Sequence, residues 1–143
     1  MNGKERVNLS KVIEKMNLVN LTPDIDVKGI WIHVPEFNRP ALQLTGFYDQ
    51  FDNDRIQIIG NVEYSYLKSL SETERYERYM QLLSSNIPCL IFCRNLEPEA
   101  EIIELAKKYQ IPILKSEEST SSFSAEVIRW LKVQLAPCIV IHG

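Results

Sequence analysis

Apolar positions come in short bursts along this chain, and their spacing alternates between strand-like and helix-like. Val7-Asn8-Leu9 reads as a short strand, and Ser10 then caps a helix with Val12, Ile13 and Met16 at helical spacing. Leu18, Val19 and Leu21 predict a second short strand, stopped by Thr22-Pro23-Asp24. Residues 29–34 alternate like a third strand, closed by Pro35. Signals are weak over 36–55. Pro40 fits the first turn of a short helix carrying Leu42 and Leu44, and the aromatic, turn-rich stretch behind it reads as a loop.

The centre is sharper. Arg55–Gly60 predicts a strand, and 62–70 predicts a helix with Val62, Tyr66 and Leu70 along one stripe. Ser71-Glu72-Thr73-Glu74 is a capping box, in which the serine hydroxyl takes a backbone amide three residues on. Tyr76, Tyr79, Met80 and Leu83 come next at helical spacing. In the last third strand and helix alternate. A buried-type strand over 88–93 is followed by a helix opened by Pro98 with Ala100, Ile103, Leu105 and Ala106. Ile111–Leu114 is the next strand. The serine- and threonine-rich 116–124 caps a helix carrying Val127, Ile128, Leu131 and Leu135, and Cys138–Ile141 is one more strand. That alternation predicts an α/β fold, a sheet of mostly parallel strands with flanking helices.

At 143 residues the chain has the size of one domain. Domain boundaries are expected at 1–136, with 137–143 forming the first strand of a further domain, because an apolar strand with no polar tail needs covering. The net charge is −3, with acids and bases spread evenly over both halves, which argues against nucleic acid as a partner. The longest apolar runs, Cys89–Cys93 and Cys138–Ile141, fall far short of the roughly 20 residues of a membrane helix. A polar start with no secretory stretch makes a cytoplasmic setting the expectation.

Candidate chemistry is sparse. The five glycines form neither a G-x-x-x-x-G-K-[ST] nor a G-x-G-x-x-G loop. Cys89 and Cys93 share one strand face and read as small core residues, since a zinc site needs closer pairs and further ligands; no metal site is expected. His33 has no partner ligand in view. Glu97, Glu99, Glu101 and Glu104 read as a helix-dipole effect on a solvated face. Two polar segments stand out: Asn38–Gly46, with Arg39, Gln43 and Thr45 among apolar neighbours, and Asp52–Arg55. Polar groups on loops of a rigid scaffold suit ligand or protein contact, with local turn and capping work as the alternative. Arg39, Gln43, Thr45 and Arg55 are therefore the candidate binding residues, and the two arginines would suit an anion or a neighbouring subunit.

These segments also carry a family resemblance. Asn38–Phe47, Asp54–Gly60, Glu63–Leu67, Leu135-Ala136-Pro137 and Ile141-His142-Gly143 together resemble the N-terminal part of the HPr serine kinase/phosphorylases, with Ala41 where the family usually has glycine. The resemblance implies a fold like the N-terminal domain of the Mur ligases. It implies a parent enzyme that uses ATP or pyrophosphate, with Mg²⁺, to phosphorylate a serine of the phosphocarrier HPr, and removes that phosphate by phosphorolysis. The setting would be the bacterial phosphotransferase system and carbon catabolite repression. The P-loop of that chemistry lies in the family's C-terminal domain, so this chain is expected to be a regulatory or assembly domain, without cofactor and not itself an enzyme. His142 would be catalytic only in a full-length parent, which is expected to be a homo-oligomer. The alternative is a free-standing small-ligand sensor of the same fold.

Overall fold

A computed structural model describes residues 6–137. The expected strand over 138–141, the segment 137–143 that it was to open, and His142 therefore fall at or outside the described residues.

The element order is β1 (Val7–Asn8), α1 (Leu9–Lys15), β2 (Val19–Asn20), β3 (Trp31–Ile32), β4 (Phe37–Asn38), α2 (Ala41–Leu44), β5 (Ile56–Ile59), α3 (Asn61–Ser69), α4 (Glu72–Leu83), β6 (Leu90–Phe92), α5 (Ala100–Tyr109), β7 (Ile113–Lys115) and α6 (Thr120–Leu135). Five strands form one sheet in the order β2-β7-β6-β5-β4. β4, β5, β6 and β7 run parallel, and β2 joins the β7 edge antiparallel. The fold is α/β with a mostly parallel sheet, as the alternation predicts.

Period-two alternation along the central strands divides the core between two faces. Ile56, Ile58, Cys89, Ile91, Cys93 and Leu114 turn to one face, where α1 and α6 cover them with Val12, Phe123, Val127 and Leu131. Ile59, Leu90, Phe92 and Ile113 turn to the other, under Leu44, Leu67, Tyr79, Leu82, Ile102 and Leu105 of α2 to α5. Both faces being covered explains the near-continuous apolar strands. Cys89 and Cys93 are buried core residues, as their spacing predicts. Burial pushes their thiols up to about 12 and about 11.

Four expectations are corrected. The strand over 29–34 shortens to Trp31–Ile32 and pairs antiparallel with β1 in a separate two-stranded sheet. The 36–55 stretch hides the edge strand β4, which has only two residues and hence no readable period. The inner stripe of α3 is Glu63 and Leu67, while Val62 is exposed, because Glu63 is drawn inward to cap its own helix. The acidic run is a solvated face only at Glu97 and Glu104, while Glu99 and Glu101 are largely buried in ion pairs. Arg75 bridges Glu99 and Glu101, Lys68 pairs with Glu99, and Lys115 with Glu97, which ties α3, α4, α5 and β7 together.

Ser71 caps α4 by accepting from the Glu74 amide, as its capping box predicts. Pro40 stands just ahead of α2 rather than within it, and Gly46 ends that helix at φ +97°, a conformation glycine adopts without Cβ strain.

Candidate functional site

The four parallel strands end at one side of the sheet, and each leads into a polar segment. Arg39 comes directly after β4, Gly60-Asn61 after β5, Cys93-Arg94 after β6 and Ser116–Ser119 after β7. α3 leaves this side toward one face, and α6 leaves it toward the other. The helix starts thus stand apart over the strand ends, where open α/β sheets place their ligands. A cleft of about 390 Å³ lies there, lined by Phe37, Arg39, Asn61, Arg94, Thr120 and Ser121, with Val62 and Ser124 completing it. That volume lies within the range of small-molecule sites, roughly 300–1,000 Å³.

Each group is held by a local cause. Glu63 Oε1 accepts both from the Gly60 amide at 2.7 Å and from Arg39 Nη2 at 2.8 Å. The carboxylate caps α3 and fixes one face of the Arg39 guanidinium, although Arg39 is still 37% exposed. Gly60 permits this crowding. A Cβ there would stand 2.5 Å from Thr120 Oγ1 and 2.7 Å from Arg39 Nη2.

Arg94 and Asn95 both sit in the left-handed region, at φ 58° and 55°. Their amides donate to the carbonyls of Glu118 and Ser116 at 2.8 Å, which braces the β6 loop on the β7 loop. Ser119 caps α6 by accepting from the Ser122 amide, and Ser124 Oγ donates back to the Thr120 carbonyl. The Cys93 thiol lies beneath, raised by burial, while Thr120 and Arg39 act in the opposite direction.

Of the residues picked out from the sequence, only Arg39 lines this cleft. Gln43 is buried in an amide ladder: Asn38 Nδ2 donates to Gln43 Oε1 and Gln57 Oε1, and Gln43 Nε2 donates to the Phe47 carbonyl. Thr45 donates its hydroxyl to the Leu42 carbonyl. Arg55 reaches Asp52 at 3.4 Å and the Phe37 carbonyl at 3.4 Å. These three do local work, and Arg55 is not brought into the cleft beside Arg39. Sequence reasoning missed Asn61, Arg94 and Thr120. Their signal was position, since each comes after a parallel strand or opens the helix behind it.

His33 is exposed. Among the described residues no cluster of histidine, cysteine and acidic side chains is placed to hold a metal, and no helix is long and apolar enough to cross a membrane.

The architecture and the cleft define a mostly parallel α/β domain with a polar crevice at its strand ends. The chain belongs to the HPr serine kinase N-terminal family: the family model described as "HPr Serine kinase N terminus" matches residues 7–131. It is 53% identical over 137 residues to the HPr kinase/phosphorylase of Lachnoclostridium phytofermentans, covering 96% of this chain and 44% of that protein. Against the HPr kinase/phosphorylase of Alkaliphilus metalliredigens the identity is 40% over 137 residues, with the same 96% and 44% coverage. The chain therefore spans less than half the length of these relatives. It also shares its fold with the CBS and DRTGG domains of the regulatory region of Clostridium perfringens pyrophosphatase, a structure complexed with the activator diadenosine tetraphosphate. That likeness has a TM-score of 0.58 at 18% identity, and covers 92% of this chain and 50% of the other.

Proposed function

We propose that this chain is the regulatory and assembly domain of an HPr kinase/phosphorylase and carries no phosphoryl transfer of its own. The observation behind this reading is the family match over 7–131, combined with relatives in which the aligned part is only 44% of the length. The sequence contains no G-x-x-x-x-G-K-[ST] loop, which phosphoryl transfer of the P-loop type requires. In this reading the remainder of a full-length enzyme binds ATP and Mg²⁺ and acts on a serine of HPr, with His142 at its active site. The enzyme works as a homo-oligomer in the cytoplasm, within carbon catabolite repression. The cleft favours a second reading, a free-standing sensor of a small ligand.

The test is a domain exchange. The matching N-terminal segment of the Lachnoclostridium phytofermentans enzyme is replaced by this chain, and a third protein lacks the segment altogether. Kinase activity on HPr and oligomer size are measured for all three. The exchange should preserve both, and the deletion should change at least one. Stoichiometric phosphorylation of HPr by this chain alone would refute the reading, as would a deletion that alters neither property.

A further inference from the structure

The cleft over the strand ends has no task in the regulatory reading, and its chemistry is one-sided. Two arginines line it, and none of its lining residues is acidic. Arg39 is largely balanced by Glu63. Arg94 makes no ion pair among the described residues, so it brings an uncompensated positive charge to the rim.

The start of α6 adds to that charge. Helix-start amides point outward without intrahelical acceptors, and they favour an anion. A second observation is independent of the helix end. Thr120, the first residue of α6, is only 8% exposed, and among the described residues its Oγ1 finds no nitrogen or oxygen partner, only the Cys93 thiol beside it. That hydroxyl and Arg39 Nη2 both crowd the space beside Gly60, 2.5 and 2.7 Å from where a Cβ would stand, just beneath the cleft. A buried hydroxyl normally finds a strong partner, and one left with only a thiol beside two arginines and a helix start suits an oxygen acceptor that arrives from outside. Phe37 and the exposed Val62 supply apolar surface next to these donors.

We propose that this cleft binds the phosphate of a small phosphomonoester. Arg94, the α6 start and the Thr120 hydroxyl take the phosphate oxygens, Arg39 supports them from the side held by Glu63, and Phe37 and Val62 meet the organic part. Planar guanidinium forks match phosphate oxygens in pairs, and a dianion suits two of them better than a carboxylate does. The proposal concerns binding alone and does not depend on the regulatory reading.

The experiment titrates the isotope-labelled 143-residue chain with adenosine 5′-monophosphate, glucose 6-phosphate and inorganic phosphate, tracking backbone amides by NMR. Adenosine is the uncharged control. Both esters should shift the amides of residues 60–62, 94–95 and 119–122. Inorganic phosphate should shift the same amides more weakly, and adenosine should not move them. Arg94→Ala should weaken ester binding by about tenfold, the usual size of one lost charge-assisted contact, with the melting temperature unchanged. Arg94→Lys should recover part of the affinity. Thr120→Val should weaken binding while Ser121→Ala leaves it nearly intact.

Absence of shifts at these amides with every phosphate at millimolar concentration would overturn the proposal. Equal binding by wild type and Arg94→Ala would do the same. If inorganic phosphate bound as tightly as both esters, the organic part of the site would be refuted. None of these readings uses kinase activity, so failure here is separable from failure of the domain exchange.

Discussion

Glu63 is where local folding and the cleft meet, and its removal has a calculable cost. The side chain is buried and serves two donors, the Gly60 amide and Arg39. In Glu63→Ala the Gly60 amide loses its acceptor inside the protein, which costs about 1–3 kcal/mol. The ion pair adds little, about 0.5–1 kcal/mol, because Arg39 is more than a third exposed and its charge can rehydrate. The sum is about 1.5–4 kcal/mol, or a melting temperature lowered by roughly 5–15 °C for a domain of this size. Arg39→Ala is milder, at about 1 kcal/mol, since the carboxylate left behind keeps the Gly60 amide and the α3 start as partners. The double variant should cost less than the sum by about 0.5–1 kcal/mol, the coupling of the pair. Urea unfolding of wild type, the two single variants and the double variant closes the cycle. The reasoning fails if Arg39→Ala costs as much as Glu63→Ala, or if the two losses add with no coupling.

The geometry sets three more outcomes. Gly60→Ala should cost about 1–3 kcal/mol by crowding Thr120 and Arg39 rather than by backbone strain, since φ −112° suits alanine; adding Thr120→Ala should return part of the loss, and an unchanged melting curve for the single variant would contradict this. Glu99 is subject to burial, which acts to raise its pKa, but hydrogen bonds from Tyr79, its own backbone and Lys68 prevail and hold it below the ordinary value. A depressed folded pKa stabilises the fold above the unfolded value of about 4.3, and this stabilisation is lost as the pH falls through the folded value. The stability gap between wild type and Glu99→Gln should therefore be largest near neutrality and shrink in acid; a gap unchanged between about pH 7 and about pH 3 would refute the assignment. Cys89 and Cys93, buried and pushed up to about 12 and about 11, should stay unmodified by iodoacetamide in the native chain at about pH 8, as read by peptide mass spectrometry.

The two-faced core was legible because its signals are periodic. Leu90-Ile91-Phe92 reads as a doubly covered strand, and the helix behind Ser119 repeats its apolar face at 123, 127 and 131. What could not be read lies where a few residues act through distant partners. Gln57 sits in the middle of an apolar strand and is fully buried, yet its side chain is satisfied by Asn38 and by the carbonyls of Asp52 and Arg55. Nothing in its neighbours announces this. Glu63 is one charged residue beside Val62 in the sequence, and only the fold brings it its two donors, the Gly60 amide and Arg39. The cleft was half legible: Arg39 stood out as a polar residue among apolar ones. Arg94 and Thr120 become conspicuous only when the four parallel strands are aligned and their ends are compared.

The outer strands of the sheet have a consequence for self-association. Among the described residues both edges are very short, Val19–Asn20 on one side and Phe37–Asn38 on the other. A foreign strand gains from an edge only in proportion to the consecutive free amides and carbonyls it can zip onto. Here it would find two residues and then a turn, with Thr22-Pro23 beyond the first edge and Pro40, which has no amide hydrogen to offer, soon after the second. The long apolar strands, those most prone to stack into cross-β ladders, are confined to the interior of the sheet. Edge-to-edge growth of this sheet is thus disfavoured by its outline, independently of charge.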